Sequence, residues 1–137
     1  MEEKLSGRSV GRNVIVEDDV LLSNDVRIRN FDMHGIHDVQ SREQLNHPCD
    51  TILERHVWLG QDALLLGSER IGFGSIVGAR SIVKKTVPSE TIVAGIPSRV
   101  IRRDASWSRS IHDFTEQETS LLDRLRSLSA NDKSISG

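Results

Sequence analysis

Residues 53–83 read LERHVW LGQDAL LLGSER IGFGSI VGARSI V, and every group opens on an aliphatic residue. Leu53, Leu59, Leu65, Ile71, Val77 and Val83 therefore recur at each sixth position without a miss. A period of six is not the 3.6-residue stripe of an α-helix, nor the two-residue alternation of an ordinary strand. It fits a prism whose flat sides are short strands and whose corners turn after each hexapeptide. One aliphatic side chain per side then points inward and stacks on the coils above and below. Backbone hydrogen bonds run between coils, with neighbouring strands about 4.8 Å apart. The fourth neighbours of the aliphatic series are Val57, Ala63, Glu69, Ser75, Ser81 and Val87, mostly small or β-branched, which places Glu69 at an inner corner. The residues that follow the series include Gly60, Gly72 and Gly78. Glycine takes positive φ at low cost, so these are assigned to the turns.

Upstream, Val10, Val16, Leu22 and Ile28 form a second series with the same spacing. Two uninterrupted series argue against an ordinary β-sandwich with accidental spacing. From Ile28 to Leu53 is 25 residues, one more than a multiple of six, so the register breaks once and a loop is predicted at about 30–51. After Val83 the chain changes character. Lys84-Lys85-Thr86-Val87-Pro88 reads as a basic turn, and Ile92 to Pro97 as a short strand closing on Gly and Pro. Thr115-Glu116-Gln117-Glu118 is a capping box. It predicts a helix over about 115–129 with Leu121, Leu122, Leu125 and Leu128 on one face. The Ser-rich tail from Ser129 to Gly137 is predicted to be disordered. The expected fold is all-β, a coil over 1–100 interrupted by its loop, with a C-terminal extension over 101–137 that carries the helix.

With 137 residues the chain fits one domain. Its 18 basic and 20 acidic side chains leave a formal charge of −2, against the strong basic excess of a dedicated nucleic-acid binder. Aromatic residues are only 4%, few for stacking bases or sugars on several rings. Cys49 is the single cysteine, so no intrachain disulfide forms and a reducing compartment is compatible. Met1-Glu2-Glu3-Lys4 lacks the apolar core of a secretory signal, and the longest apolar run, Ala63 to Leu66, is far short of a membrane span. A soluble, cytoplasmic protein is expected.

Chemistry is expected in the loop, which reads Asn30-Phe31-Asp32-Met33-His34-Gly35-Ile36-His37-Asp38. A long loop leaving a rigid scaffold is where function concentrates. An imidazole titrates near neutrality, so His34 can take a proton from a hydroxyl and return it to a leaving group. Asp32 or Asp38 could orient its ring. His37 and His56 read as polar surface residues. Cys49, with nothing nearby to activate it, reads as structural rather than nucleophilic. On the later coils Gly78 and Ala79 permit close backbone approach of a ligand, while Lys84 and Lys85 place cations near the same edge. Arg99 lies near the end of the segment Val93 to Ile101, and Arg102 and Arg103 follow it.

The hexad pattern, over roughly residues 10 to 107, resembles the hexapeptide-repeat acyltransferases. That likeness implies a left-handed parallel β-helix, a known departure from the right-handed crossover preference. Asp-x-His followed by Ile and Asp, then His56-Val57-Trp58-Leu59-Gly60, is similar to the branch that O-acetylates capsular or surface polysaccharides. By that resemblance His34 is the general base and Trp58 lines the same site. Gln61, Ala79, Lys84, Lys85 and Arg102 match the family's CoA contacts, with Gly78 beside them. The likeness further implies acetyl-CoA as co-substrate, a sugar or polysaccharide acceptor, and a homotrimer whose active sites lie between neighbours. Proton transfer by His34 would let the acceptor hydroxyl attack the thioester, the oxyanion being held by a corner amide or by Trp58. Two departures stand out: Ser98 and Lys84 replace the family's common Ala and Thr, and only four hexapeptides precede the loop. Two rival readings remain, a non-catalytic trimeric scaffold and a zinc enzyme like the carbonic anhydrases of this fold. The three-residue spacing of His34 and His37 departs from the ligand pattern of those anhydrases, and no metal site is expected.

Overall fold

In a computed structural model that describes residues 13–112 and 114–136, the hexads wind into a three-sided coil. The strands are β1 (Val14–Val16), β2 (Leu21–Leu22), β3 (Arg27–Arg29), β4 (Thr51–Leu53), β5 (Trp58–Leu59), β6 (Leu64–Leu66), β7 (Arg70–Ile71), β8 (Ile76–Val77), β9 (Ile82–Val83), β10 (Thr91–Gly95) and β11 (Ser98–Arg103), followed by α1 (Glu116–Ser136). Three sheets form the sides, in the orders β1-β4-β7, β11-β10-β8-β5-β2 and β3-β6-β9. From β1 to β9 successive strands visit the first, second and third side in turn, and β10 and β11 then extend the second side. All strand pairings between coils are parallel, and β10 with β11 forms an antiparallel hairpin. Among the described residues no helix is long and apolar enough to cross a membrane.

The predicted aliphatic series lines one interior column. Leu53 stands opposite Ile71, Leu59 opposite Val77 and Leu65 opposite Val83, each pair three hexads apart. All six are excluded from solvent, at 0–1% exposure. The upstream series joins the same column, with Val16, Leu22 and Ile28 facing Leu53, Leu59 and Leu65. Val16 and Leu22 lie in the first described coil and are about half exposed, at 50% and 47%. Val10 falls outside the described residues. The loop between β3 and β4 absorbs the break in spacing without disturbing this stacking.

Two expectations about the corners are corrected. Glu69 is exposed, and Ser68 holds the inner position in its place. The turn there passes through Gly67 at φ 72°, which brings Ser68 inward one residue early. Its hydroxyl donates to the Lys85 carbonyl at 2.8 Å, and its own carbonyl accepts from Thr51 Oγ1 at 2.8 Å. A serine can be buried there because both polar groups are satisfied, whereas a glutamate would carry an unpaired charge. Positive φ, assigned to glycine from the sequence, belongs mainly to other residues: Asp19, His56 and Glu90 at one corner, Asp25, Asp62 and Arg80 at the next. Asp tolerates this region better than most non-glycine residues. Gly60 serves close approach instead, since a Cβ there would lie 2.7 Å from the Ala79 nitrogen and 2.8 Å from the Val77 oxygen.

The helix lies along the corner between the first and second sides. Leu122 and Leu125 are buried, and Arg126 reaches Glu90 at 3.0 Å while Asp132 takes Arg55 at 2.6 Å. The capping box forms as predicted, with Glu118 N donating to Thr115 Oγ1 and Thr115 N to Glu118 Oε2, both at 3.1 Å. Beyond its start the expectation fails. The helix continues past Ser129 to Ser136, because Asp132 and Lys133 tie its last turns to Arg55 and Glu54 on the coil. Its buried stripe is Leu122, Leu125 and Ser129, with Leu121 half-buried and Leu128 exposed.

Truncating Leu65 to Ala is expected to cost about 2–5 kcal/mol in urea unfolding, the range for a fully buried leucine. Glu69→Ala, one corner away, should stay within about 0.5 kcal/mol. Hydrogen bonds from the backbone of Ser110 and then Thr115 hold the Glu118 carboxyl below its ordinary range. A depressed carboxyl contributes stability above its unfolded value and loses it as pH falls through the folded one. Thermal melts of Glu118→Gln and the parent should therefore differ at neutral pH and converge on acidification.

Candidate functional site

The three corners of the coil carry different chemistry. The first, between sides one and two, is covered by the helix and by the Ser106–Arg109 segment. The second, between sides two and three, opens into a groove of about 550 Å³. Trp58 and Ile76 of the second side form one wall, while Ser23, Asn24, Gly60, Gln61, Gly78 and Ala79 come from the corner. This brings together four sequence-predicted residues: Trp58, Gln61, Gly78 and Ala79. Glycine at 60 and 78 lets consecutive coils approach closely, and an apolar groove with few polar groups suits an organic ligand.

The third corner, between sides three and one, is where the long loop leaves β3 and returns to β4. Lys84 and Lys85 follow β9 at this same corner. The expectation that they share an edge with Gly78 and Ala79 is therefore corrected: one full side of the coil separates them. Arg102 lies elsewhere again, exposed in the β10–β11 hairpin opposite Ile92, on the second side beyond the groove strands.

His34 is exposed in the loop. Neither predicted partner orients its ring. Asp32 Oδ2 accepts from Asn46 Nδ2 at 2.8 Å, and Asp38 Oδ1 accepts from the amides of Gln40 and Ser41 at 2.9 and 2.8 Å. The bonds from Ser41 and then Gln40 hold the Asp38 carboxyl below its usual range, keeping it committed to that turn. The loop is organised by Asn46, which sequence reading missed. Its amide donates to Asp32 and to the His34 carbonyl at 2.9 Å, and its oxygen accepts the Ile36 amide at 2.7 Å. An asparagine late in the loop is the only signal the sequence carries for this role.

His56 is not a surface residue. It is 3% exposed, with Nδ1 2.6 Å from Asp19 Oδ2 and Nε2 2.7 Å from the Trp107 carbonyl oxygen. The rings of His56 and Trp107 stack at 4.2 Å, and the Trp107 indole donates back to the His56 carbonyl at 2.8 Å. Arg109 closes the network on Asp19 at 2.6 Å. The positive-φ corner at His56 turns its ring inward beneath the C-terminal segment, a consequence of folding that local sequence does not reveal. Trp58 stands half-buried beside this cluster. Its Nε1 donates to Ser23 Oγ at 3.0 Å, and its ring lies 5.9 Å from that of Trp107. With its one N–H engaged, Trp58 acts as a wall and the oxyanion-donor role foreseen for it falls away. Burial, then the charges of Glu69 and Asp50, push the Cys49 thiol up, which disfavours the thiolate a nucleophile needs.

No family model matches the chain. It is 36% identical over 98 residues to a polysialic acid O-acetyltransferase of Escherichia coli O1:K1 / APEC, an alignment covering 72% of this chain and 32% of that protein. The crystal structure of the polySia specific acetyltransferase NeuO superposes with a TM-score of 0.72 at 29% identity, over 87% of this chain and 57% of that one. The chain is thus similar to hexapeptide-repeat acetyltransferases, among them enzymes that act on polysialic acid. AntD, an N-acyltransferase from Bacillus cereus in complex with dTDP and 3-hydroxybutyryl-CoA, is similar at a TM-score of 0.55 and 25% identity, over 88% of this chain and 63% of that one. The chain spans about a third of the length of the polysialic acid enzyme it matches.

Gly60→Ala should perturb the groove itself, because the atoms a Cβ meets are backbone of the next coil. The expected loss is about 1–3 kcal/mol in denaturant unfolding. A loss below about 0.5 kcal/mol would show that the coils can separate there without cost.

Proposed function

We propose that this chain forms the catalytic coil of an acetyl-CoA-dependent O-acetyltransferase that modifies a sugar hydroxyl of a surface polysaccharide. The single observation that carries the reading is the separation of its parts. His34 leaves one corner of the coil, while the Trp58 groove opens at another. One chain holds both halves of a site without joining them. A closed three-fold arrangement of left-handed coils joins them three times, each His34 loop entering a neighbour's groove. Support comes from the exposed apolar side chains of that loop, Met33, Ile36, Val39 and Leu45, which such a contact would cover.

In this reading acetyl-CoA lies in the groove, its pantetheine arm against Gly78 and Ala79 and its acetyl end near Trp58. Gln61 sits at the same corner to hydrogen-bond the arm. Lys84, Lys85 and Arg102 are cations for the phosphates, reached across the contact between subunits. His34 takes the proton of the acceptor hydroxyl, whose oxygen attacks the thioester carbonyl. The tetrahedral oxyanion is held by a corner amide of the groove rather than by the engaged Trp58 indole. Collapse breaks the carbon–sulfur bond, and the CoA thiolate takes the proton from the imidazolium. Holding both substrates in one complex removes the entropic cost of their encounter.

The experiment is release of free CoA thiol from acetyl-CoA with a panel of sugar and polysaccharide acceptors. His34→Ala should slow turnover by about 10²–10⁴-fold, the scale of a lost general base. CoA at about 100 times its dissociation constant should raise stability by about 2.7 kcal/mol, readable as a thermal shift. Near-normal turnover in His34→Ala would sink the assignment. A chain that trimerises but gives neither thermal shift nor thiol release would be a scaffold.

A further inference from the structure

The ring of Trp58 is held from two sides. On the second side of the coil, Ser23 follows β2 and accepts the indole N–H at 3.0 Å. On the other flank the ring of Trp107 lies 5.9 Å away, its plane tilted by 53°. Trp107 is itself fixed. It is 7% exposed, donates its N–H to the His56 carbonyl at 2.8 Å, has its carbonyl oxygen 2.7 Å from His56 Nε2 and stacks on that ring.

We propose that Ser23 and Trp107 are positioning residues for Trp58, so that the Ser106–Arg109 segment takes part in the transfer site and does not merely cover the coil. The inference rests on reading the Trp58 groove as the place of transfer. Indole has one polar hydrogen, and a hydrogen bond at that atom fixes how the ring turns about its own axis. The tilted contact with Trp107 limits its swing away from Ser23. Together they hold the groove wall ready before a ligand arrives, which is how a site keeps reacting atoms within reach. Without the Ser23 hydroxyl, the half-buried N–H would lose its acceptor and the ring its anchor. Gln61, Gly78 and Ala79, which line the donor part of the groove, touch neither clamp through any described hydrogen bond.

The chain has two tryptophans, so ¹⁵N-labelled protein should give two indole cross-peaks, and Trp58→Phe identifies which belongs to Trp58. Ser23→Ala should move the Trp58 peak and speed its hydrogen exchange by at least roughly tenfold, while Ser23→Thr restores both. In thiol-release kinetics Ser23→Ala should lower kcat by roughly ten- to a hundredfold, the cost of misplacement by about 1 Å, and leave KM for acetyl-CoA within about twofold. Trp107→Leu should reproduce the kinetic split, and the Ser23 pair decides the matter if that variant fails to fold. An unmoved Trp58 peak in Ser23→Ala would overturn the proposal, as would a raised KM with kcat intact. Absence of thiol release from the parent protein would overturn the reading beneath it, and that failure is distinct because the indole peak would still respond.

Discussion

Everything in this protein hangs on aliphatic side chains stacked in register under a ladder of backbone hydrogen bonds between coils. Trp58 N reaches the Ser75 carbonyl at 2.9 Å, Gly60 N the Val77 carbonyl at 2.8 Å, and Leu64 N the Ser81 carbonyl at 2.9 Å. Each bond sets the spacing that lets Leu59 meet Val77 and Leu65 meet Val83. The ladder tolerates no slip, because moving by one residue turns the aliphatic column outward. It does tolerate excursions at corners. The loop from β3 to β4 leaves and returns with Val16, Leu22 and Ile28 still stacked on Leu53, Leu59 and Leu65.

Because the interior is occupied by packing, chemistry is left to the corners, and the three divide it. One is sealed by the helix and by the buried His56–Trp107 pair. Another narrows into a groove where glycine lets coils approach closely. The last releases the histidine loop, beside Lys84 and Lys85. A rigid prism cannot bend these corners toward each other. In the proposed function, joining the groove to His34 takes more than one copy of the chain, with the exposed apolar loop residues at the contact.

The sealed corner is less separate from the groove than the topology implies. Asp19 holds His56 and Arg109, His56 holds Trp107, and Trp107 faces the ring of Trp58. Most of these contacts join residues far apart in the chain. The C-terminal segment thus reaches the groove through side chains rather than backbone, and substitutions near Trp107 should be felt at Trp58.

By itself, the sequence determined the coil, its register, the place of the loop and the start of the helix. Those depend on local or strictly periodic signals: one inward aliphatic residue per hexad, a break in spacing, a Thr115–Glu118 box. The family resemblance, rather than the spacing, supplied Trp58, Gln61 and Ala79 as site residues, and it is the stacking of positions three hexads apart that sets Gln61 beside Ala79 and Gly60 beside Gly78. Only the tertiary structure decided that Ser68 rather than Glu69 turns inward, that Asp, His and Arg carry the corner φ while Gly60 serves close contact, and that His56 is buried. It alone extended the helix to Ser136, separated Lys84 and Lys85 from the groove, and spent the Trp58 indole on Ser23. The physical reason is the same throughout. Periodicity fixes which residues share a side, but which polar group finds a partner depends on what another coil or the returning C-terminal segment brings against it.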